Sequence, residues 1–388
     1  MSAPVPYWRL SNFYLLYFGT LGALLPYWAV LLKDRGFAAN EIGELMALLV
    51  GTKIIAPNIW GWVADHTGWH MRLVRHGSLA AMLSFAAVFF VDGYWSMAAV
   101  MVVFSFFWNA VLPQFEAVTL NHLGSETHRY ARIRLWGSVG FILTVVVAGA
   151  LLDLWGAGTL PWVLLFLFAG IWLSSLPVSE VGDGPVAPVS GSILGVLRRP
   201  EVIALLVVVF LLQASHSPYY IFYTLYLEAH GYSHSVIGPL WALGVVAEIG
   251  LFLVMGPLMA RLGARGLMVV ALALTALRWL MIGAWPDSLL NLVIAQLLHA
   301  ASFGVVHAVA IHLTHRFFRG RHQSRGQALY SSVSFGAGGA VGNLVSGYLW
   351  DSEGPFTVYA IAAGVATLAM LVAVISLHDR DPVPRPSE

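Results

Sequence analysis

The amino-acid sequence predicts an all-α membrane protein of twelve transmembrane helices in two pseudo-symmetric six-helix bundles. Three observations carry that expectation. Of the 388 residues, 59% are hydrophobic and only 10% are charged, against roughly 25% charged in soluble domains; the mean hydropathy is +0.78. Apolar stretches of about 20 residues, enough to cross a bilayer as a helix, recur from one end of the chain to the other. A set of glycines and apolar residues repeats at a spacing near half the chain length.

The apolar stretches place spans near 10–32, 41–64, 73–92, 95–122, 131–153, 159–177, 202–228, 235–260, 266–285, 288–315, 326–350 and 355–377. The segments between them are short, and none is long enough for a separate soluble domain. The exception is 179–200, where Gly182, Asp183, Gly184, Pro185, Pro188, Ser190, Gly191, Arg198 and Arg199 suit a solvated joint. The expected division is an N-terminal bundle over 1–178, a cytoplasmic linker over 179–200 and a C-terminal bundle over 201–388. Met1 to Arg9 runs straight into the first apolar helix without a small-residue cleavage pattern, so that helix is expected to be retained.

Basic residues set the expected orientation. With the N-terminus inside, 16 of the 20 Lys and Arg fall on cytoplasmic segments, among them Arg72, Arg75, Arg261, Arg265, Arg316, Arg319, Arg321, Arg325, Arg380 and Arg385. Lys33 and Arg35 alone fall on outer loops, and Lys53 and Arg278 lie within spans. The positive-inside rule then places both termini in the cytoplasm, with the inner membrane as the expected location.

At an offset of 195, Gly36, Ile42, Gly43, Leu45, Ala47, Leu48, Ile54, Gly61 and Gly68 fall on Gly231, Ile237, Gly238, Leu240, Ala242, Leu243, Ile249, Gly256 and Gly263. At an offset of 198, Gly149–Asp153 falls on Gly347–Asp351. Apolar identities recur by chance in such a chain, whereas this many glycines in register do not. Parallel six-helix repeats put a binding site between the halves near the midplane, which argues for alternating access over a simple pore.

Other classes are excluded on composition. There is no cysteine, hence no disulfide, thiolate metal site or cysteine nucleophile. The net charge of +1 implies no nucleic-acid partner. No phosphate-binding loop of the Gly-x-x-x-x-Gly-Lys-Ser/Thr type is present, which argues against an ATP-driven pump. His312 and His315 have a metal-like spacing but no acidic third ligand. The expectation is therefore a non-enzyme without cofactor or metal. Its partners are a small-molecule substrate, protons and the lipid bilayer, and it is expected to be monomeric.

Ionisable residues inside a membrane are costly, roughly 2.5–3.5 kcal/mol each at a helix centre on insertion scales, and mark candidate sites. Lys53 and Glu248 occupy equivalent repeat positions about twelve residues into their spans, as a substrate-anion site and a proton carrier, or as a fixed ion pair. Glu116 and Arg134 flank the hairpin between spans four and five and are placed to pair toward the inner vestibule. His216, His299 and His307 are mid-span histidines able to donate, accept or titrate, with plain interhelical hydrogen bonding as the alternative. Arg278 requires a partner, either Glu248 or a span-ten group. Tyr27, Trp28, Tyr219, Tyr220 and Tyr223, with Trp108, Trp136 and Trp241 nearby in sequence pattern, offer rings to an aromatic substrate or simply pack helices. Gly336–Gly342 forms a small-residue face suited to close helix approach.

The segment Gly61-Trp-Val-Ala-Asp65-His-Thr-Gly68 between spans two and three resembles the loop signature of the major facilitator superfamily. That resemblance implies the major facilitator fold and a gating role for Gly61, Asp65, Gly68 and Arg72. Three residues intervene before Arg72, and in the second half Ala260 stands at the aspartate position. Within the superfamily the chain is similar to the phenylpropionate permease family, distant relatives of lactose permease. The segments carrying this are Tyr130-Ala-Arg-Ile-Arg134-Leu-Trp-Gly-Ser138, Gln213-Ala-Ser-His216-Ser-Pro-Tyr-Tyr220, Leu240 to Glu248, Arg278-Trp279 and Leu298-His299. The lactose permease pattern implies a Glu116 and Arg134 pair, and roles for Arg278 and His299. Its proton-handling acid one turn beyond the histidine is replaced by Ser302, so a coupled proton must use another group. The resemblance implies a proton symporter of a small aromatic or other organic carboxylate such as 3-phenylpropionate. A sugar or nucleoside symporter on the same scaffold stays open, as does a non-transporting sensor.

Overall fold

The computed structural model describes residues 5–181, 193–319 and 322–378. Both extreme termini, residues 182–192 of the 179–200 joint, and Arg321, Arg380 and Arg385 lie outside the described residues. Six helices build the first half: α1 (Tyr7–Asp34), α2 (Ala39–Thr67), α3 (His70–Phe90), α4 (Tyr94–Leu123), α5 (Tyr130–Trp155) and α6 (Leu160–Ser175). The second half begins with α7 (Pro200–Ala229). A helical run from His234 to Ala284 follows, 51 residues long. At 1.5 Å per residue it would reach about 77 Å if straight, against a hydrocarbon core of about 30 Å. Gly263 breaks it with φ 69° and ψ 170°, giving α8 (234–262) and α9 (264–284). Next come α10 (Leu289–Phe317), α11 (323–353) and α12 (Pro355–Ser376). Among the described residues, ten helices are long and apolar enough to cross a membrane. Dividing one at Gly263 and adding α11, which a wide π-helical turn at Ser332–Gly338 interrupts, gives the twelve expected spans.

Why the chain turns where it does follows from glycine. Gly36 and Gly231 have φ 88° and 83°, Gly68 and Gly263 have 68° and 69°, and Gly156 and Gly354 have 78° and 82°. Each pair is related by the repeat offset read from the sequence. A side chain is strained at such φ values, and glycine is not, so the repeat is a shared turn geometry within one chain as well as a pattern of letters.

In the first bundle α1 packs on α5 and α6, α2 on α4, and α3 on α4 and α6; in the second, α12 packs on α7 and on the 234–284 run, and α11 on α7. Arginines close the helix ends equivalently in the two halves. Arg75 of α3 donates to the carbonyls of Ser175, Leu176 and Val178 past α6, and Arg265 of α9 donates to Val374 O in α12. Cations belong there, because the last carbonyls of a helix lack intrahelical partners.

The bundles meet through α2 with α11 and α5 with α8, again in matched pairs. A Cβ on Gly43 would fall 2.7 Å from Asn343 O and from Gly347 Cα; one on Gly238 would fall 2.7 Å from Val145 O. Gly347 faces Ala39 O at 2.9 Å, and Gly149 faces His234 O at 2.5 Å by the same measure. All these contacts lie at the end of the molecule away from the arginine-rich loops.

Candidate functional site

Lys53 and Glu248 lie ten residues beyond Gly43 and Gly238, about 15 Å deeper along α2 and α8. Both are half-buried. Among the described residues Lys53 has no hydrogen bond and no carboxylate within 4 Å; its Nζ lies 5.9 Å from the ring centre of Phe335 on α11. The alternative reading of a fixed Lys53–Glu248 ion pair is therefore not met. Glu248 instead turns toward α10, where Gly304 leaves room for it: a Cβ there would meet Glu248 Cγ at 2.9 Å.

Glu116 and Arg134 do not form a salt bridge either. Tyr130 donates to Glu116 Oε1 at 3.2 Å. The Arg134 guanidinium is drawn onto the face of Phe18, 3.6 Å from its ring centre, with Tyr14 at 5.8 Å; cation–π attraction supplies what the carboxylate does not. The Arg134 charge acts on Glu116 in its own bundle and on Glu248 and His307 in the other. Those four groups and Lys53 thus converge on one space between the bundles. His307 shares a hydrogen bond of 2.8 Å with Tyr330 Oη, and its ring lies 6.2 Å from Phe335. Phe303 stacks parallel between His299 and His307 at 5.6 and 5.8 Å. The π-helical turns Ala300–Val305 and Ser332–Gly338 carry Phe303 and Phe335, and such turns recur at functional sites.

The remaining sequence candidates lie elsewhere. His216, His299 and Arg278 are buried within the second bundle. Arg278 donates to Ala295 O, Ser302 Oγ and Gln296 Oε1 at 2.9, 3.1 and 3.4 Å and packs against the Tyr219 and Trp279 rings. Its partners are thus span-ten groups and not Glu248. Tyr219 and Tyr223 belong to the same cluster; Tyr220 is half-buried over His216. Tyr27 donates to Val145 O at 2.8 Å, where α1, α5 and α8 meet, and Trp28 Nε1 donates to Met101 Sδ inside the first bundle. Asp65 and Arg72 are exposed at the arginine-rich end, Arg72 over the Trp69 ring at 4.8 Å. Gly68, with φ 68°, makes that turn, and Gly61 lies within α2.

Sequence reasoning missed Phe303, Tyr330 and Phe335. The i, i+4 order His299-Phe303-His307 was available as a signal. It also missed Glu44, which accepts from Tyr94 in its own bundle at 2.5 Å and from Tyr348 in the other. Thr52, Ser105 and Asn109, hydrogen-bonded together between α2 and α4 beside Lys53, went unremarked as well.

Two pseudo-symmetric six-helix bundles around charged groups at mid-depth define a multi-pass secondary transporter. The chain belongs to the major facilitator superfamily: residues 7–361 match the family described as MFS_1 like. It is 31% identical over 369 residues to a probable 3-phenylpropionic acid transporter of Escherichia coli (strain K12), covering 90% of this chain and 93% of the relative. It is 28% identical over 367 residues to a maltose permease of Geobacillus stearothermophilus, covering 93% and 92%. Among solved structures it superposes on the nucleoside transporter NupG with a TM-score of 0.82 at 16% identity, over 95% of this chain and 98% of that one. A POT family peptide transporter in an auto-inhibited form gives a TM-score of 0.74 at 14% identity, over 99% and 98%.

Proposed function

We propose that this chain is a proton symporter of a small aromatic or other organic monocarboxylate, of the 3-phenylpropionate type. It works in the inner membrane with the arginine-rich end, both termini and the 179–200 joint in the cytoplasm, and with halves divided at 1–178 and 201–388. The observation that carries the reading is the pair of cations Lys53 and Arg134, neither within 4 Å of a carboxylate among the described residues, beside Phe335, Phe303 and Phe18. A ring carboxylate needs both a cation for its head and aromatic faces for its body.

Charge balance gives the coupling. Lys53 and Arg134 against Glu116 and Glu248 sum to zero, which offers an anion no net attraction. Protonating Glu248 leaves the site at +1, matched to one carboxylate, so proton and substrate bind as a pair. The contact of the bundles at the arginine-poor end supports a site open toward the cytoplasm, where Asp65 is exposed. The relative named for 3-phenylpropionic acid supports the substrate class; the maltose permease supports a sugar as the second reading.

Proteoliposomes with separately imposed gradients test this. One proton with a monoanion moves no net charge, so phenylpropionate uptake should follow the pH gradient and ignore the membrane potential. A neutral sugar with one proton would gain about 2.3 kcal/mol per 100 mV. Potential-driven accumulation of a sugar, with no response to any carboxylate, overturns the proposal.

A further inference from the structure

Behind the site, the guanidinium of Arg278 is completely buried in the second bundle. Three of its N–H groups are engaged by neutral acceptors, and the Tyr219 and Trp279 rings lie against it at 4.2 and 4.6 Å. The salt bridges among the described residues are Arg129–Glu126 and His234–Asp153, so no carboxylate stands within 4.0 Å of it. Hydrogen bonds to neutral groups satisfy the direction of the donors but leave the charge uncompensated, and a buried uncompensated charge is strongly destabilising.

A second, independent observation lies in the same place. Tyr223 Oη, Tyr359 Oη, Gln296 Nε2, His216 Nε2 and His299 Nδ1 are buried without a hydrogen-bond partner. All five belong to residues around this guanidinium: Gln296 bonds it, His216 packs edge-on to Trp279 at 4.8 Å, and Tyr359 lies 6.3 Å from Trp279. Tyr223 lies 4.9 Å from Tyr219 and His299 5.8 Å from Tyr219, ring centre to ring centre. Buried polar groups in native proteins are nearly always paired; the two tyrosine hydroxyls and the Gln296 amide are donors that lack an acceptor, while His216, whose Nδ1 donates to Leu212 O, holds an unused lone pair at Nε2.

We propose that a small monovalent inorganic anion, chloride under physiological conditions, binds beside Arg278 and neutralises it. The guanidinium has five N–H groups, of which two remain after the bonds to Ala295, Ser302 and Gln296. The Gln296 carboxamide and the Tyr223 and Tyr359 hydroxyls add neutral donors. A spherical anion has no directional demand and can accept from several such donors. Water would serve the orphaned atoms and leave the charge. A bulky organic carboxylate has no entry, because every residue of the cluster is buried. The anion here is a structural counter-ion separate from the transported substrate, so the proposal stands whatever the substrate proves to be.

The test uses purified full-length protein without organic substrate, in gluconate at constant ionic strength, titrated with chloride. The thermal midpoint should rise saturably by several degrees with chloride, and with bromide, but not with sulfate. Ser302→Glu places a carboxylate within reach of the guanidinium, and the chloride response should disappear with the midpoint already high in gluconate. Gln296→Met and Tyr223→Phe, which each remove a donor and keep the bulk, should raise the half-saturating chloride concentration at least fivefold; they decide the matter should the glutamate variant not fold. A wild-type midpoint indifferent to chloride, one that rises equally with sulfate, or a chloride response undiminished in the donor variants overturns the proposal.

Discussion

Asp153 at the end of α5 closes the first turn of α8 in the opposite bundle. Its Oδ1 accepts from the His234 backbone N–H at 2.9 Å and lies 2.9 Å from His234 Nδ1, while Oδ2 accepts from Ser235 N–H at 2.7 Å. The first N–H groups of a helix have no intrahelical partners and favour negative charge, so one carboxylate both caps α8 and ties the two halves together. Glu44 makes the corresponding tie between α2 and α11 through Tyr348. Replacing Asp153 with Ala should cost about 1–2 kcal/mol of this closed end, a roughly 5–30-fold shift in population. A single cysteine at Ala242, one turn below Gly238, should be labelled faster by external thiol reagents in the alanine background. An unchanged labelling rate would mean that Asp153 holds nothing closed.

The glycine contacts beneath these ties act by shape. Backbone stands 2.7 Å from where a Cβ on Gly43 or Gly238 would sit, and backbone does not yield as a flexible side chain does. Gly43→Val and Gly238→Val should each keep the protein folded while barring approach of the bundles at this end. Transport should fall at least tenfold, with the Ala242 cysteine reporter labelled more readily in both. Normal uptake by either variant would show that the close approach is dispensable.

Much of this architecture is legible in the sequence because the bilayer imposes it: spans need length and apolarity, and turns between them need glycine where φ is positive. The offset of 195 predicts that Gly68 and Gly263 do the same thing, and they have φ 68° and 69°. Helix rotation is another matter. Spans that are apolar on every side carry no face to read, so Arg134 and Arg278 look alike in sequence, yet one faces the space between bundles and the other is sealed inside a bundle. Glu44 and Tyr348 were beyond reach for a different reason: their contact spans 304 residues and depends on how two bundles lean together. Nor does composition reveal where a helix widens into a π turn, which is what sets Phe303 and Phe335 beside the site.

Orientation is testable through the absence of cysteine. A single cysteine at Ser190 should resist impermeant thiol reagents in intact cells and react once the cells are opened, because the sequence assigns sixteen basic residues to segments expected on that side against two on the other. Ready labelling in intact cells would invert the assignment and place the arginine-rich end outside.

Glu248 is the acid at mid-depth that touches α10, and Ser302 cannot carry a proton in place of the acid that lactose permease has there. Glu248→Gln keeps the size and much of the hydrogen bonding but cannot cycle a proton. Accumulation against a gradient should be abolished, while exchange of labelled for unlabelled substrate across the membrane continues. Wild-type accumulation in the glutamine variant would remove Glu248 from the coupling role.

Lys53 supplies the sharpest separation between binding and stability. A charged group that forms no hydrogen bond or salt bridge among the described residues, in the middle of a span, costs the protein stability: roughly 2.5–3.5 kcal/mol for a charge at a helix centre on insertion scales, less where the side chain is half exposed. Lys53→Met keeps the length of the stem and removes the charge, so the empty transporter should melt at a higher temperature than the wild type. Substrate binding should move the other way. Without the cation, a carboxylate brought to Phe335 meets no opposite charge from α2, and its affinity should fall at least tenfold while that of the neutral amide analogue is unchanged. Arg278→Met provides the contrast, since it removes three hydrogen bonds from a packed interior and should lower the melting temperature. Thermal melts with and without phenylpropionate and its amide measure both effects together. A Lys53→Met variant that melts lower than wild type and still binds the carboxylate normally would make Lys53 a structural residue and take the anion site away from α2.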